Sequence, residues 1–276
     1  ALQEEDGNSG SNEPEEDLKE AINIAMNIIN DIIISSNRNT KYKITVELDD
    51  TLDPNTLGTA TPLEDGGMIR LNPNYDNIDI PININDEPKH AYTTILIHEI
   101  LHVLGLINTT SEAKEKDIVN YTSNYNHAFN PNYNHNSNYP DSVYYGKYGV
   151  EGYLQVLNEN YPNNLETIVT PETLNMLRGD RPYCLIENNF DHPNIKFTHF
   201  EEGINGEYQL NIHGRDNIYP PIIMNEIMTG FLNNGGNYIT NMTLGALRDI
   251  GFEVNYESQY VKNSSPGLLI LNSLSF

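Results

Sequence analysis

The stretch His98-Glu99-Ile100-Leu101-His102-Val103-Leu104-Gly105 constrains this chain more than any other. Residues four apart on an α-helix lie about one turn apart on one face, so His98 and His102 can both reach a single metal ion at roughly 2.0 to 2.1 Å, zinc by this spacing. Glu99 lies too far round the helix to join them as a ligand. It is placed instead to take a proton from a water at that metal. The surroundings favour a helix over residues 89–104. Residues 91–97 are apolar and threonine-rich, Leu101 and Leu104 continue the apolar stripe, and Gly105 supplies a stop that can adopt the left-handed cap conformation. The bland alternative, two satisfied core histidines beside a surface carboxylate, buries polar groups without a shared purpose, which is costly.

Elsewhere the pattern is mixed. Residues 1–16 are acidic, rich in Gly, Ser and Asn, and lack apolar periodicity, which reads as a disordered lead-in. Leu18, Ile22, Ala25, Ile29 and Ile32 then recur at helical spacing, so residues 15–35 are expected to form a long amphipathic helix with Pro14 near its first turn. Tyr42, Ile44, Val46 and Leu48 alternate with polar residues as a strand does. Gly66, Gly67, Met68, Ile69, Arg70 and Leu71, entered through glycines and ended by Pro73, read as a second strand at a sheet edge. Residues 76–87, rich in Asp and Asn, read as a solvated loop. They offer hard oxygen ligands, but without a recognised calcium-loop spacing. Residues 108–165, dominated by Tyr, Asn and His, read as an insertion over the core. Short helices are expected at 171–177 and 242–250, the second with Thr240 or Asn241 as N-cap and Gly251 as stop.

Composition narrows the partners. With 276 residues the chain can bury a substantial core, and Lys+Arg 15 against Asp+Glu 39 gives a formal net charge of -24. Nucleic acid is therefore an unfavourable partner, whereas basic or neutral polypeptides are attracted at low salt. No apolar run approaches the roughly 20 residues that span a bilayer, so no membrane span is expected. Cys184 is the sole cysteine, which excludes a disulfide within the chain and reads most simply as a buried, inert thiol.

Two histidines leave a catalytic zinc one ligand short. A third histidine three residues beyond Gly105 is missing, since that position is Asn108. Gly105 still lets the chain turn sharply and bring a later residue back. On chemistry alone His90, His127, His135, His192, His199 and His213 all remain eligible.

Three ordered stretches bear on the choice: residues 197–201 (Phe-Thr-His-Phe-Glu), 225–230 (Asn-Glu-Ile-Met-Thr-Gly) and 238–252, which contains Thr-Leu-Gly-Ala-Leu-Arg-Asp-Ile-Gly-Phe. In this order, and after a glycine followed by a long insertion, they resemble the leishmanolysin-like metzincins over about residues 55–255. The resemblance implies an α+β metzincin-type zinc peptidase. Residues 17–107 would form an N-terminal catalytic subdomain, a twisted sheet with the active-site helix. Residues 108–276 would form a mainly helical or irregular C-terminal subdomain. It further implies His98, His102 and His199 as ligands of one zinc ion, Glu99 as general base, and Met228 as the residue of a Met-turn beneath the metal. The expected activity is hydrolysis of peptide bonds by a monomer, with substrate extended along Gly66 to Leu71. A catalytically inactive binding protein on the same scaffold is the rival, and its signature would be loss of Glu99 or a ligand. The family's setting points to an extracellular or particle-associated enzyme, although its members are usually cysteine-rich and this chain is not.

Overall fold

The computed structural model describes residues 3–4, 16–36, 42–75, 79–84, 87–107, 119–122, 141–160, 184–186, 199–200, 222–223, 225–230, 236–263 and 269–270. In chain order the elements are β1 (Gln3–Glu4), α1 (Glu16–Ile32), β2 (Ile33–Ser36), β3 (Lys43–Leu48), β4 (Gly58–Leu63), β5 (Gly66–Leu71), β6 (Asp79–Ile84), β7 (Glu87–His90) and α2 (Ala91–Val103). After them come β8 (Val119–Thr122), β9 (Asp141–Tyr144), α3 (Lys147–Asn160), β10 (Cys184–Ile186), β11 (Ile222–Ile223), α4 (Asn241–Asp249), β12 (Phe252–Val254) and β13 (Leu269–Ile270). Small sheets and helices alternate without a repeating βαβ unit, which is the expected α+β class.

Helix α1 buries Leu18, Ala21, Ile22, Ala25, Ile28, Ile29 and Ile32, a stripe at spacings of three and four, and packs it against α2. It stops three residues before the expected end. Ile33 to Ser36 leave the helix and pair antiparallel with β12. Consecutive β-branched isoleucines are stiff at χ1 and suit an extended backbone, so the partner strand decides their state.

The largest sheet among the described residues runs β1-β3-β5-β4. β1 and β5 pair parallel with the two sides of β3, and β4 pairs antiparallel with β5. Gly66 to Leu71 are therefore hydrogen-bonded on both sides, which corrects the expectation that they form the edge. Among the described residues β4 is the free edge on that side, with β1 at the other. Glycine and proline marked where the strand begins and ends; they carry no information on how many neighbours it has. Gln3 and Glu4, within the stretch read as a disordered lead-in, sit beside Lys43 and Ile44. Residues 76–87, expected as a loop, contain β6 and the start of β7, an antiparallel pair; the side chains there lie outside the described residues, and the calcium reading with them.

Ile44, Ile69 and Leu71 bury one face of the sheet, while Arg70 Nε donates to Glu47 Oε1 at 2.9 Å on the exposed face. Helix α2 lies in the core with only His102 short of full burial, as a helix apolar on nearly every side must. Its last turn meets the sheet at Gly67, where a Cβ would come within 2.6 Å of Val103 Cγ2.

Helix α3 falls inside the stretch read as an insertion. Its buried side is Gly149, Val150, Gly152, Tyr153, Val156 and Leu157, so two glycines and an aromatic blunt the aliphatic periodicity a sequence reading relies on. Those glycines have a purpose. A Cβ on Gly152 would stand 2.0 Å from the Asn241 carbonyl oxygen, and one on Gly245 2.0 Å from that of Tyr148. Helices α3 and α4 thus approach until backbones touch. Asp249, near the end of α4, accepts from the Tyr148 and Gly149 N–H groups at 3.1 and 2.9 Å and from the Tyr144 hydroxyl at 2.8 Å, capping the first turn of α3.

Helix α4 begins as expected. Thr240 has an extended backbone and its hydroxyl accepts from Met242 N–H at 3.1 Å, while Gly251 turns the chain at φ 103°. Beyond β12, Ser258 donates to Asp31 Oδ2 at 2.5 Å and Asn255 Nδ2 to the Asp31 carbonyl at 3.2 Å, tying this end of the chain to the end of α1. Residues 171–177, expected as a helix, lie outside the described residues. One buried apolar cluster includes α1, α2, β3, β5, α3, α4 and β12. No helix among the described residues is long and apolar enough to cross a membrane.

Candidate metal centre

Helix α2 is fixed at both ends. At its start the His90 Nδ1 accepts from Tyr92 N–H at 3.2 Å, so this histidine serves as the N-cap. At its end Gly105 turns the chain at φ 94°, with Gly105 N–H on the His102 carbonyl at 2.9 Å and Leu106 N–H on that of Leu101 at 3.0 Å. That pair of bonds is the Schellman stop. A Cβ on Gly105 would meet nothing within 4 Å, so its φ alone calls for glycine.

His98 and His102 project from this helix towards His199, which lies 97 residues beyond His102. The three Nε2 atoms form a nearly equilateral triangle: 3.0 Å from His98 to His199, 3.1 Å from His102 to His98 and 3.1 Å from His102 to His199. Three ligands at roughly 2.0 to 2.1 Å around a tetrahedral ion would stand about 3.3 to 3.4 Å apart, so the triangle is close to the size such an ion needs. Among the described residues this is the one group of side chains able to hold a metal ion. His98 Nδ1 lies 2.6 Å from the Ile227 carbonyl oxygen, and since a carbonyl only accepts, Nδ1 carries the proton and Nε2 presents its lone pair to the centre. Neutral imidazoles aiming lone pairs at one point repel one another unless a cation stands between them. The donor set therefore fits a metal ion.

Burial sets the electrostatics. It holds the His98 imidazole below its usual range, and holds His102 well below it, with the neighbouring His98 and His199 adding to the effect. Both are thus neutral, ready to ligate, at pH 7. Burial also pushes the Glu99 carboxyl up to about 8. Strand β4 passes close over this carboxylate: a Cβ on Gly58 would stand 3.2 Å from Glu99 Oε1 and 2.7 Å from Ile95 Cγ2. The general-base candidate is therefore beside the free edge of the sheet.

Met228 is completely buried in a turn that feeds two of the histidines. The carbonyl before it, on Ile227, takes the His98 proton; its own carbonyl accepts from Phe200 N–H at 2.9 Å, adjacent to His199. Sequence reasoning named Met228 but gave no role to Glu226, two residues earlier. Glu226 is fully buried, and its carboxylate accepts from Met228 N–H at 2.6 Å, from Thr240 Oγ1 at 3.2 Å and, through a short bond, from Thr243 Oγ1. Burial raises its carboxyl to about 7 against the opposing pull of those donors. The available signal was a carboxylate between two apolar pairs, Ile223-Met224 and Ile227-Met228, with Asn225 beside it. The Ile227 carbonyl left no signal, because every residue has one.

Of the remaining histidines, His127, His135, His192 and His213 lie outside the described residues. Cys184 is buried, and burial raises its thiol well above the usual range, with Asp249 adding to it, as an inert thiol requires. Comparisons of this chain with protein-family models, with curated proteins and with solved structures return no match.

Proposed function

We propose that the chain is a zinc-dependent endopeptidase of metzincin type, similar to the leishmanolysin-like group. The carrying observation is the triangle of His98, His102 and His199 Nε2 atoms with Glu99 on the same helix. Imidazole donors suit zinc, copper, nickel and iron alike, and the three-ligand set with a carboxylate neighbour favours catalytic zinc. A structural zinc site would close its shell with a fourth side chain, often Cys, and the one cysteine is distant in role as well as sequence, paired in β10. Zinc held there would polarise the scissile carbonyl and make water a stronger acid.

The protein's own groups do the rest. His98 is held in one tautomer by Ile227, so its lone pair is preset rather than found on binding. Glu99 is the base that takes the proton of the attacking water and hands it to the leaving amine. As a base it must be ionised; burial opposes that, and a dication nearby favours it. An extended polypeptide would add to β4, the free edge, where main-chain hydrogen bonds hold any sequence and place the scissile bond near Glu99.

The test is zinc content together with cleavage of a denatured protein, on wild type and Glu99→Gln. One zinc per chain in both, with turnover in wild type and a loss of several orders of magnitude in the variant, supports the reading. A Glu99→Gln chain that cleaves at the wild-type rate sinks it, and zinc-loaded wild type without cleavage favours the inactive scaffold.

A further inference from the structure

We propose that Glu226 is a positioning residue of the metal centre: its buried carboxylate fixes the turn whose carbonyls orient two of the three histidines. The assignment rests on reading His98, His102 and His199 as metal ligands, and it assigns a role that the sequence motif alone left blank. The turn at Ile227 and Met228 is gripped from several sides. Ile227 N–H donates to the Tyr238 carbonyl at 2.8 Å, Tyr238 N–H donates to the Asn225 carbonyl at 2.7 Å, and Thr229 donates to the Glu226 carbonyl from N–H at 3.1 Å and from Oγ1 at 2.8 Å. These bonds are local to the turn and its neighbouring bridge. The Glu226 side chain connects the turn to α4: Oε2 takes Met228 N–H, while Oε1 takes the hydroxyls of Thr240 and Thr243 at the first turn of that helix.

The consequence is a relay of rigid parts. α4 is locked to α3 by backbone contact at Gly245 and Gly152, and Glu226 locks the turn to α4. The turn then presents the Ile227 carbonyl to His98 Nδ1 and the Met228 carbonyl to Phe200 N–H, one residue from His199. A fully buried carboxylate held by these donors is satisfied but inflexible, and one or two lost donors leave it short of partners. It touches no ligand itself. Its effect reaches the metal through the backbone.

The experiment uses Glu226→Ala and Glu226→Gln in the full chain. Gln keeps an oxygen for the two hydroxyls but turns an amide NH₂ towards Met228 N–H, so one variant removes the anchor and the other weakens it. Two readouts are taken under conditions where circular dichroism shows each variant folded. The first is zinc affinity by competition with a chelator; the expected loss is about 10- to 100-fold for Ala, the range for groups that orient ligands, and smaller for Gln. The second is the imidazole ¹⁵N chemical shifts of His98 in chelator-stripped protein, where wild type should show a single Nδ1–H tautomer and the Ala variant a mixture. Should Ala not fold, Gln carries both measurements. Unchanged affinity together with an unchanged His98 tautomer overturns the assignment. A wild-type chain that binds no zinc sinks the proposed function instead, and the tautomer readout then still decides the role of Glu226.

Discussion

Replacing Glu99 by Gln separates two properties of one side chain. In the metal-free protein burial lifts the Glu99 carboxyl to about 8, so the folded state favours the protonated form. A group raised in this way stabilises the fold fully below its ordinary value near 4.5, and that contribution is lost as pH climbs through about 8. Chelator-stripped Glu99→Gln has no such loss. Its urea stability relative to wild type should rise between pH 5 and 9, by on the order of a few kcal/mol. Parallel pH profiles for the two chains would refute the burial argument. His199→Ala makes a second residue-scale prediction. A two-histidine site should lose far more zinc affinity than the 10 to 100-fold typical of an orienting group, whereas His90→Ala removes an N-cap, costing about 1 kcal/mol in stability with zinc affinity kept. Chelator competition on both decides it, and the opposite ranking would move the third ligand to His90. His98, Glu99 and His102 were legible because one helical turn brings them together. His199 stood among six equals until ordered motifs singled it out, since its contact spans 97 residues and no spacing rule reaches that far.

At the scale of elements, α2 and α4 were readable within one or two residues, because apolar residues end at a terminal glycine in each and a capping hydroxyl, Thr240, also marks the start of α4. α3 was not, and the reason is its crossing with α4. Helices that touch backbone to backbone do so over glycine, and glycine carries no apolar signal. Gly245→Ala tests this contact. Its Cβ would collide with the Tyr148 carbonyl, which cannot rotate away, so a loss of about 1 to 3 kcal/mol in urea stability is expected despite the better helix propensity of alanine. Gly105→Ala meets no atoms and should cost about 1 to 2 kcal/mol through φ alone. Combining either with Asp249→Asn distinguishes them. Gly245 and Asp249 hold the same pair of helices and should couple, while Gly105, at the end of α2, should add independently. Additivity for Gly245 with Asp249 would mean that the crossing and the cap are separate devices.

For the whole molecule, the informative contrast is between the two edges of the β1-β3-β5-β4 sheet. Pattern reading identified β3 and β5 as strands but not their neighbours, because alternation reports which face is buried and says nothing about pairing order. Among the described residues β4 pairs on one side only, beside Glu99, where the proposed substrate strand would add, and part of the opposite edge is covered by Gln3 and Glu4 on Lys43 and Ile44. An uncovered edge is a template for pairing with other chains, and β3 carries an exposed leucine, Leu48, at its far end. Deleting residues 1–13 removes that cover. The lead-in composition by itself predicts no effect on melting or activity; the pairing predicts otherwise. The shortened chain should melt a few degrees lower and self-associate with rising concentration in sedimentation experiments, yet match the full chain in zinc content and in turnover per folded chain, because β4, the strand beside Glu99, lies across the sheet from the lost strand. Unchanged melting and a monomer at all concentrations would show that two paired residues contribute nothing measurable. Loss of zinc with the fold intact would mean that the lead-in reaches the metal centre.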